Sequence, residues 1–179
     1  ISDEQLTAEK HSTRQLETKS SNLLTAEVDK EEYEPLGIYF ESGLMSKVRS
    51  CKNKCVFCFI DQMAKGGRDT LHFKDDDWRL SLIMGNYVSL TNVDDKEIDR
   101  ILRRRVSPLY VSIHATDGAV RTRMMANPSA ARIMERLTAL KEHGLCFHGQ
   151  IVVCPGLNDG DVLKKSLNDL YALRPATKT

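Results

Sequence analysis

Hydrophobic and polar residues alternate along three stretches of the chain, at 86–92, 109–114 and 146–154. Successive side chains of a strand point to opposite faces, so this alternation predicts β-strands with one apolar and one polar face. A short apolar run at 36–40 predicts a further strand. Apolar residues at helical spacing predict helices elsewhere along the chain. The predicted helices cover residues 75–84, 95–106, 131–144 and 161–173.

Signals for helix ends support this assignment. Asp94 and Glu97 have the spacing of a capping box at the start of the second helix. Gly144 follows the third helix, where glycine commonly ends a helix. Strands and helices then alternate to the end of the chain. That order predicts an α/β fold in which parallel strands are joined by helical crossovers.

The polar faces of the three strands predict a cavity. A parallel sheet covered by helices on both faces is apolar on both, whereas each of these strands has one polar face. An open sheet face is the alternative, but parallel sheets seldom leave a face exposed to solvent. We therefore expect the polar faces to line a cavity that holds a polar ligand. They comprise Tyr87, Ser89 and Thr91, then Tyr110, Ser112 and His114, then His148 and Gln150.

Composition indicates a globular protein, predicted to be cytoplasmic and without a membrane partner. Hydrophobic residues make up 41% and charged residues 28% of the chain, as in soluble domains. We find no apolar run of membrane-spanning length, and the first residues lack the features of a secretory signal. Residues 1–36 hold four basic and nine acidic residues, although the whole chain has a net charge of +1. This acidic stretch predicts a solvated linker or a remnant of a preceding domain.

Three of the five cysteines lie in one short segment, CKNKCVFC, as Cys51, Cys55 and Cys58. Clustered thiolates bind zinc or iron–sulfur clusters. A structural zinc site needs four ligands, so here it would have to recruit a distant cysteine or histidine. A [4Fe-4S] cluster normally takes one cysteine for each iron, so three cysteines leave one iron open. We favour the iron–sulfur cluster and keep the zinc site as the alternative.

The CxxxCxxC spacing, with the aromatic residue Phe57 before the last cysteine, resembles the signature of the radical S-adenosylmethionine (SAM) superfamily. The blocks CVFCFIDQM, HFKDDDWRLS, GNYVSLTN, SPLYVSIHATD and QIVVCPGLNDG extend the resemblance over residues 36–173. They are similar to an iron–sulfur oxidoreductase group with a PDZ-like domain before the barrel and a domain of unknown function behind it. We therefore expect residues 1–36 to be a remnant of the PDZ-like domain or a linker. Residues 37–179 are expected to form the N-terminal part of the radical SAM core.

The resemblance implies a chemistry and a set of site residues. Its cofactors are a [4Fe-4S] cluster held by the three cysteines and SAM chelated to the fourth iron. The reduced cluster cleaves SAM to a 5′-deoxyadenosyl radical, which abstracts hydrogen from an unknown substrate. The expected reductant is a protein such as flavodoxin or ferredoxin. The family fold is a full or partial (β/α) barrel, here truncated after about four units. The resemblance also implies that Phe57 shields the cluster and contacts adenine. From their places on the polar strand faces we expect Ser112, His114 and Gln150 to contact SAM or substrate. For His114 the alternative is a hydrogen-bonded core histidine.

Two features leave alternatives open. The superfamily often has a Gly-Gly-Glu-like segment that holds the SAM amine, and this chain has Ser-Leu-Thr-Asn at 89–92 instead. We therefore expect Thr91 and Asn92 to take that role. Basic residues at 96, 100 and 103–105 favour a second hypothesis, a zinc- or cluster-stabilised RNA-binding module. No aromatic residues are interleaved with them, so nucleic-acid binding is not favoured.

Overall fold

The structure is a computed structural model that describes residues 11–17, 23–29, 31, 33–35, 43–44 and 46–178. The chain divides into two compact units, residues 1–46 and 47–179. The strand predicted at 36–40 lies outside the described residues.

The first unit contains an antiparallel hairpin. Strand β1 (His11–Glu17) pairs with β2 (Leu23–Asp29), so that His11 lies opposite Asp29 and Glu17 opposite Leu23. The sequence pattern predicts no strand in this acidic stretch. β1 contains a single apolar residue, Leu16, and therefore shows no apolar–polar alternation by which it would be detected.

The second unit alternates helices and strands. Two 3-10 turns, Asp69–Leu71 and Pro128–Arg132, lie between longer elements. The longer elements are α1 (Trp78–Met84), α2 (Asp95–Arg103), β3 (Leu109–Ser112), α3 (Gly118–Met125), α4 (Ile133–Glu142), β4 (Phe147–Gln150) and α5 (Gly160–Ala172).

The four predicted helices are confirmed as α1, α2, α4 and α5. The Asp94 carboxylate accepts a hydrogen bond from the Glu97 backbone N–H, as the capping signal predicts. Gly144 adopts a φ of 68° just beyond α4, a conformation that glycine adopts without strain. Helix α3 is missed by the pattern because its buried face includes a charged residue, Arg121.

The α/β fold with parallel strands is confirmed. β3 and β4 are parallel neighbours, with Leu109 opposite Phe147. A parallel bridge joins Val88 to Val111 on one side, and another joins Phe147 to Thr177 on the other. Four segments therefore lie side by side in the order in which they occur along the chain.

Each strand is shorter than predicted, and the prediction over 86–92 is wrong in extent. Only Val88 makes a bridge there, because Leu90 has a φ of 59° and interrupts the extended chain. β3 ends at Ser112, and His114 has a φ of 63°. β4 ends at Gln150 instead of continuing to 154. All three segments thus turn at the same edge of the sheet.

The apolar strand faces form the core of this unit with the helices around them. Val88, Leu109, Val111 and Phe147 are almost completely buried. The predicted apolar face of this strand does not continue to Val153, which is exposed beyond the end of β4. No helix in the described residues has both the length and the apolar character to cross a membrane.

Candidate functional site

The cysteine loop, residues 51–58, is held by backbone hydrogen bonds on both sides. The Cys51 N–H donates to the Lys74 carbonyl at 2.9 Å. The N–H groups of Val56 and Lys54 donate to the last two residues of α3, at 2.9 and 3.0 Å. The loop therefore lies between the segment that precedes α1 and the C-terminal end of α3.

The three motif cysteines line one cavity of about 600 Å³ at the C-terminal ends of the parallel segments. The polar strand faces contribute Tyr87, Ser89, Ser112, His114 and Gln150 to this site cavity, so the predicted cavity is confirmed for five of the eight polar-face residues. Phe57 from the cysteine loop also lines it. Further polar groups come from residues that were not predicted as ligands, namely Asn53, Lys74, Asp75, Asp76 and Asn86.

Four residues of the predicted polar faces or ligand set do not line the cavity. The Thr91 hydroxyl is buried and donates to Asn53 Oδ1 at 2.9 Å. The Asn92 side-chain amide donates to the Asp76 backbone carbonyl at 2.9 Å. Tyr110 and His148 stack on each other with ring centroids 4.8 Å apart. The role of Thr91 and Asn92 at the SAM amine remains a prediction.

The three motif cysteines are free thiols, and burial raises the pKa of two of them, Cys51 and Cys55. Burial raises the pKa of Cys51, although the neighbouring Asn53 acts in the opposite direction. Burial raises the pKa of Cys55 to about 12, helped by repulsion from the neighbouring Cys51 and Cys58. Metal binding must therefore displace protons from these sulfurs. Among the described residues, no three His, Cys, Asp or Glu side chains already converge on one point as ligands of a single ion.

His114 contacts the cysteine loop through Phe57. The two ring centroids lie 4.2 Å apart, and the His114 side chain is 3% exposed. The Val152 backbone N–H donates to His114 Nδ1 at 3.2 Å, so the ring proton lies on Nε2. Burial, together with the positive charge of Arg121, lowers the pKa of His114 to about 3. This histidine is therefore a neutral hydrogen-bond donor at physiological pH.

Two of the three aspartates of the acidic run at 75–77, Asp76 and Asp77, are buried. Asp76 is 2% exposed, and its carboxylate accepts hydrogen bonds from the backbone and hydroxyl groups of Ser89. Asp77 caps α1 and also accepts from the Arg49 backbone. Burial raises the pKa of Asp76 despite these bonds. The Asp75 carboxylate lines the cavity and accepts from the Asn86 amide at 3.0 Å.

Arg121 joins the ends of the parallel segments from behind the site. Its guanidinium is 1% exposed and donates to the carbonyl oxygens of Ser89, Ser112 and Ile113 at 2.7–2.8 Å. A fourth hydrogen bond of 2.8 Å reaches Ala130. Burial lowers the pKa of Arg121 to about 10, so it keeps its charge at neutral pH.

Two further sequence candidates lie outside the cavity lining. Cys154 packs with Met124 and Met125 as a small apolar side chain. The basic residues on and after α2 are all exposed, as on an ordinary outer helix face. These are Lys96, Arg100, Arg103, Arg104 and Arg105.

Three of the residues missed from sequence, Asn53, Asp76 and Arg121, are polar side chains that only the tertiary fold buries. Asn53 lies inside the cysteine motif, at a position that the spacing leaves variable. Asp76 and Arg121 lie in stretches that look like ordinary charged helix surface. The one sequence signal for Asp76 is that it lies in HFKDDDWRLS, one of the segments similar to the iron–sulfur oxidoreductase group.

Comparison with known proteins agrees with this geometry. Residues 30–179 match the family model of a radical SAM-like domain. No curated protein matches the chain.

Proposed function

The chain belongs to the radical SAM-like domain family, and on that premise we propose that it binds a [4Fe-4S] cluster and SAM. The observation that carries this proposal is the shared position of the three motif cysteines. All three line one cavity together with polar groups from the ends of three parallel segments. The alternative RNA-binding function has no observation of this kind in its favour.

The donor set fits the proposed cofactors. Three free thiols lie within one loop, which matches a cluster that leaves one iron open to another ligand. The cavity of about 600 Å³ is in the ordinary range for a cofactor site. When bound, the reduced cluster supplies the electron that splits SAM into methionine and a radical able to abstract hydrogen from a substrate.

The cavity residues supply binding and orientation. Phe57 covers one side of the cysteine loop, and its contact with His114 joins that loop to the end of β3. The His114 Nε2–H, the Ser112 hydroxyl and the Gln150 amide provide polar contacts for the ribose or adenine of SAM. These groups lie at the strand ends, where sites of (β/α) barrels are found.

The SAM ammonium group needs an anionic partner. We propose Asp75 for this role in place of Thr91 and Asn92, because Asp75 lines the cavity and they do not. The neighbouring Asp76 carboxylate is already hydrogen-bonded to Ser89 through both oxygens. An ammonium–carboxylate hydrogen bond is among the stronger polar contacts in a binding site. Asp75 would thus replace the carboxylate of the Gly-Gly-Glu-like segment that this chain lacks.

The remaining proposals concern the whole protein. Residues 37–179 form the N-terminal part of the radical SAM core, a partial (β/α) barrel, and residues 1–36 are a linker or a remnant of a PDZ-like domain. A flavodoxin or ferredoxin provides the electron. The substrate is the donor of a hydrogen atom, of a class that the cavity does not specify.

The test is anaerobic reconstitution of the chain with iron and sulfide, followed by dithionite and SAM. We expect about four irons and four sulfides per chain, and then release of 5′-deoxyadenosine and methionine. One zinc per chain without sulfide would refute the iron–sulfur site. A fully loaded protein that binds SAM but releases no 5′-deoxyadenosine would refute the enzymatic function.

A further inference from the structure

We propose that Asn53, inside the cysteine motif, is the positioning residue that holds the cysteine loop for cluster binding, and that Thr91 supports it. This inference rests on the proposed function, because it concerns the loop that would bind the iron–sulfur cluster. Asn53 is not a ligand in this proposal. Its side chain fixes the backbone between the first and second cysteines.

The contacts of Asn53 lead to this role. Its side chain is 3% exposed although it lies in a loop between two exposed lysines. Asn53 Nδ2 donates to the Ser89 hydroxyl at 3.0 Å. Its Oδ1 accepts from the Thr91 hydroxyl at 2.9 Å and from the Asn127 amide at 2.7 Å. One side chain thus connects the loop to two separate parts of the fold.

These partners are themselves fixed. The Ser89 hydroxyl donates to the buried Asp76 carboxylate, and the Ser89 carbonyl accepts from Arg121 at 2.8 Å. Asn127 follows the C-terminal end of α3. A buried polar network in which each member is satisfied holds its parts in a defined arrangement. Asn53 therefore links the cysteine loop to the rigid end of the parallel sheet.

Residues that hydrogen-bond to the ligands of a metal site orient those ligands and affect the affinity and redox potential of the metal. Hydrogen bonds to cysteine sulfurs also shift the potential of an iron–sulfur cluster. Asn53 lies two residues from Cys51, and its side-chain hydrogen bonds fix the loop backbone between Cys51 and Cys55. Loss of the Asn53 side chain should therefore loosen the loop and change the hydrogen bonding around the sulfurs.

The experiment compares Asn53→Ala with Lys52→Ala, an exposed neighbour in the same loop. Both proteins are reconstituted anaerobically, and the release of iron to a chelator is followed below the melting temperature of each apoprotein. We expect Asn53→Ala to release iron about tenfold faster than the wild type or more. Its midpoint potential, followed by electron paramagnetic resonance, should shift from the wild-type value, because a loosened loop changes the hydrogen bonding and solvent exposure of the cluster sulfurs. Lys52→Ala should match the wild type in both measurements.

Thr91→Val provides a second variant, because valine keeps the shape of threonine and removes the hydroxyl that donates to Asn53 and also lies 2.9 Å from the Ser89 hydroxyl. Thr91→Val should also speed iron release, but by less than Asn53→Ala. If Asn53→Ala does not fold, iron release from Thr91→Val tests whether the contacts of Asn53 hold the loop. Equal iron release and equal potentials in the wild type and the folded variants would overturn the role of Asn53 while leaving the proposed function intact. A wild type that takes up no iron and sulfide would overturn both proposals.

Discussion

The ring of Phe57 lies 4.2 Å from the ring of His114, centroid to centroid, with the two planes tilted by 47°. One residue belongs to the cysteine loop and the other follows the end of β3. Their contact shows how the fold brings the metal-ligand motif to the polar edge of the sheet. The predictions below test the groups on both sides of this contact.

The first prediction concerns the ligands. Changing Cys51, Cys55 or Cys58 singly to alanine should reduce iron and sulfide loading to a small fraction of the wild-type value, because each thiolate holds a different iron. The measurement is iron and sulfide per chain after anaerobic reconstitution. Cys146→Ala is the matched control, since Cys146 is equally a free, partly buried thiol but lies outside the cavity lining. Similar losses in all four variants would contradict the assigned ligand set.

The second prediction concerns the pH dependence of stability. The pKa of His114 is lowered to about 3, whereas an unfolded histidine titrates near about 6.5. As the pH falls below the unfolded value, the unfolded chain takes up a proton that the folded chain does not. The stability contribution of this residue is therefore complete above about pH 6.5 and is lost progressively toward about pH 3.

Replacing His114 should remove that pH dependence. Asparagine accepts a positive φ, and its Oδ1 can take the Val152 N–H bond that His114 Nδ1 accepts. Between pH 7 and pH 5 the wild type should lose about 2 kcal/mol more unfolding free energy than His114→Asn. Urea denaturation at a series of pH values measures this difference. Parallel curves for the two proteins would show that His114 does not titrate as its burial requires.

The third prediction concerns Arg121, whose buried guanidinium donates to the ends of the parallel segments. Arg121→Leu should lower the free energy of unfolding by about 3–5 kcal/mol, because it removes the donor to four buried carbonyl groups. Arg123→Leu, on the exposed side of the same helix, should change it by no more than about 0.5 kcal/mol. Urea denaturation of the apoproteins measures both. An Arg121 variant as stable as the Arg123 variant would argue that the hydrogen bonds from Arg121 to the strand ends do not stabilise the fold.

The fourth prediction concerns the SAM ammonium group. Asp75→Asn should weaken SAM binding about tenfold, because a hydrogen bond between charged groups is replaced by one to a neutral amide. Iron and sulfide loading should stay at the wild-type level. The measurement is a titration of the reconstituted, oxygen-free protein with SAM, followed by electron paramagnetic resonance of the reduced cluster.

Asp69→Asn is the control for that titration. Asp69 lies in a nearby 3-10 turn, is exposed and does not line the cavity. Its variant should bind SAM as tightly as the wild type. Equal weakening of both variants would indicate a general effect of charge, and unchanged affinity in Asp75→Asn would remove Asp75 from the site.

The sequence predicted the elements whose pattern is local. Helices α1, α2, α4 and α5 have apolar faces or end signals that can be read along the chain, and all four are present. Helix α3 was missed because the buried guanidinium of Arg121 looks like a surface charge in sequence. The first two strands were predicted too long, because Leu90 and His114 adopt positive φ values that the periodicity of the sequence does not record.

The sequence by itself determined the donor chemistry of this protein: three thiols at fixed spacing, an adjacent aromatic residue and alternating polar strand faces. Only the tertiary structure decided which polar groups share a cavity with those thiols. It placed Ser112, His114 and Gln150 in the lining and joined the Thr91 hydroxyl to Asn53 by a hydrogen bond. The physical reason is that a buried polar group must find its hydrogen-bond partner. For Asn53, Asp76 and Arg121 those partners are distant in sequence, so their roles are fixed only when the chain folds.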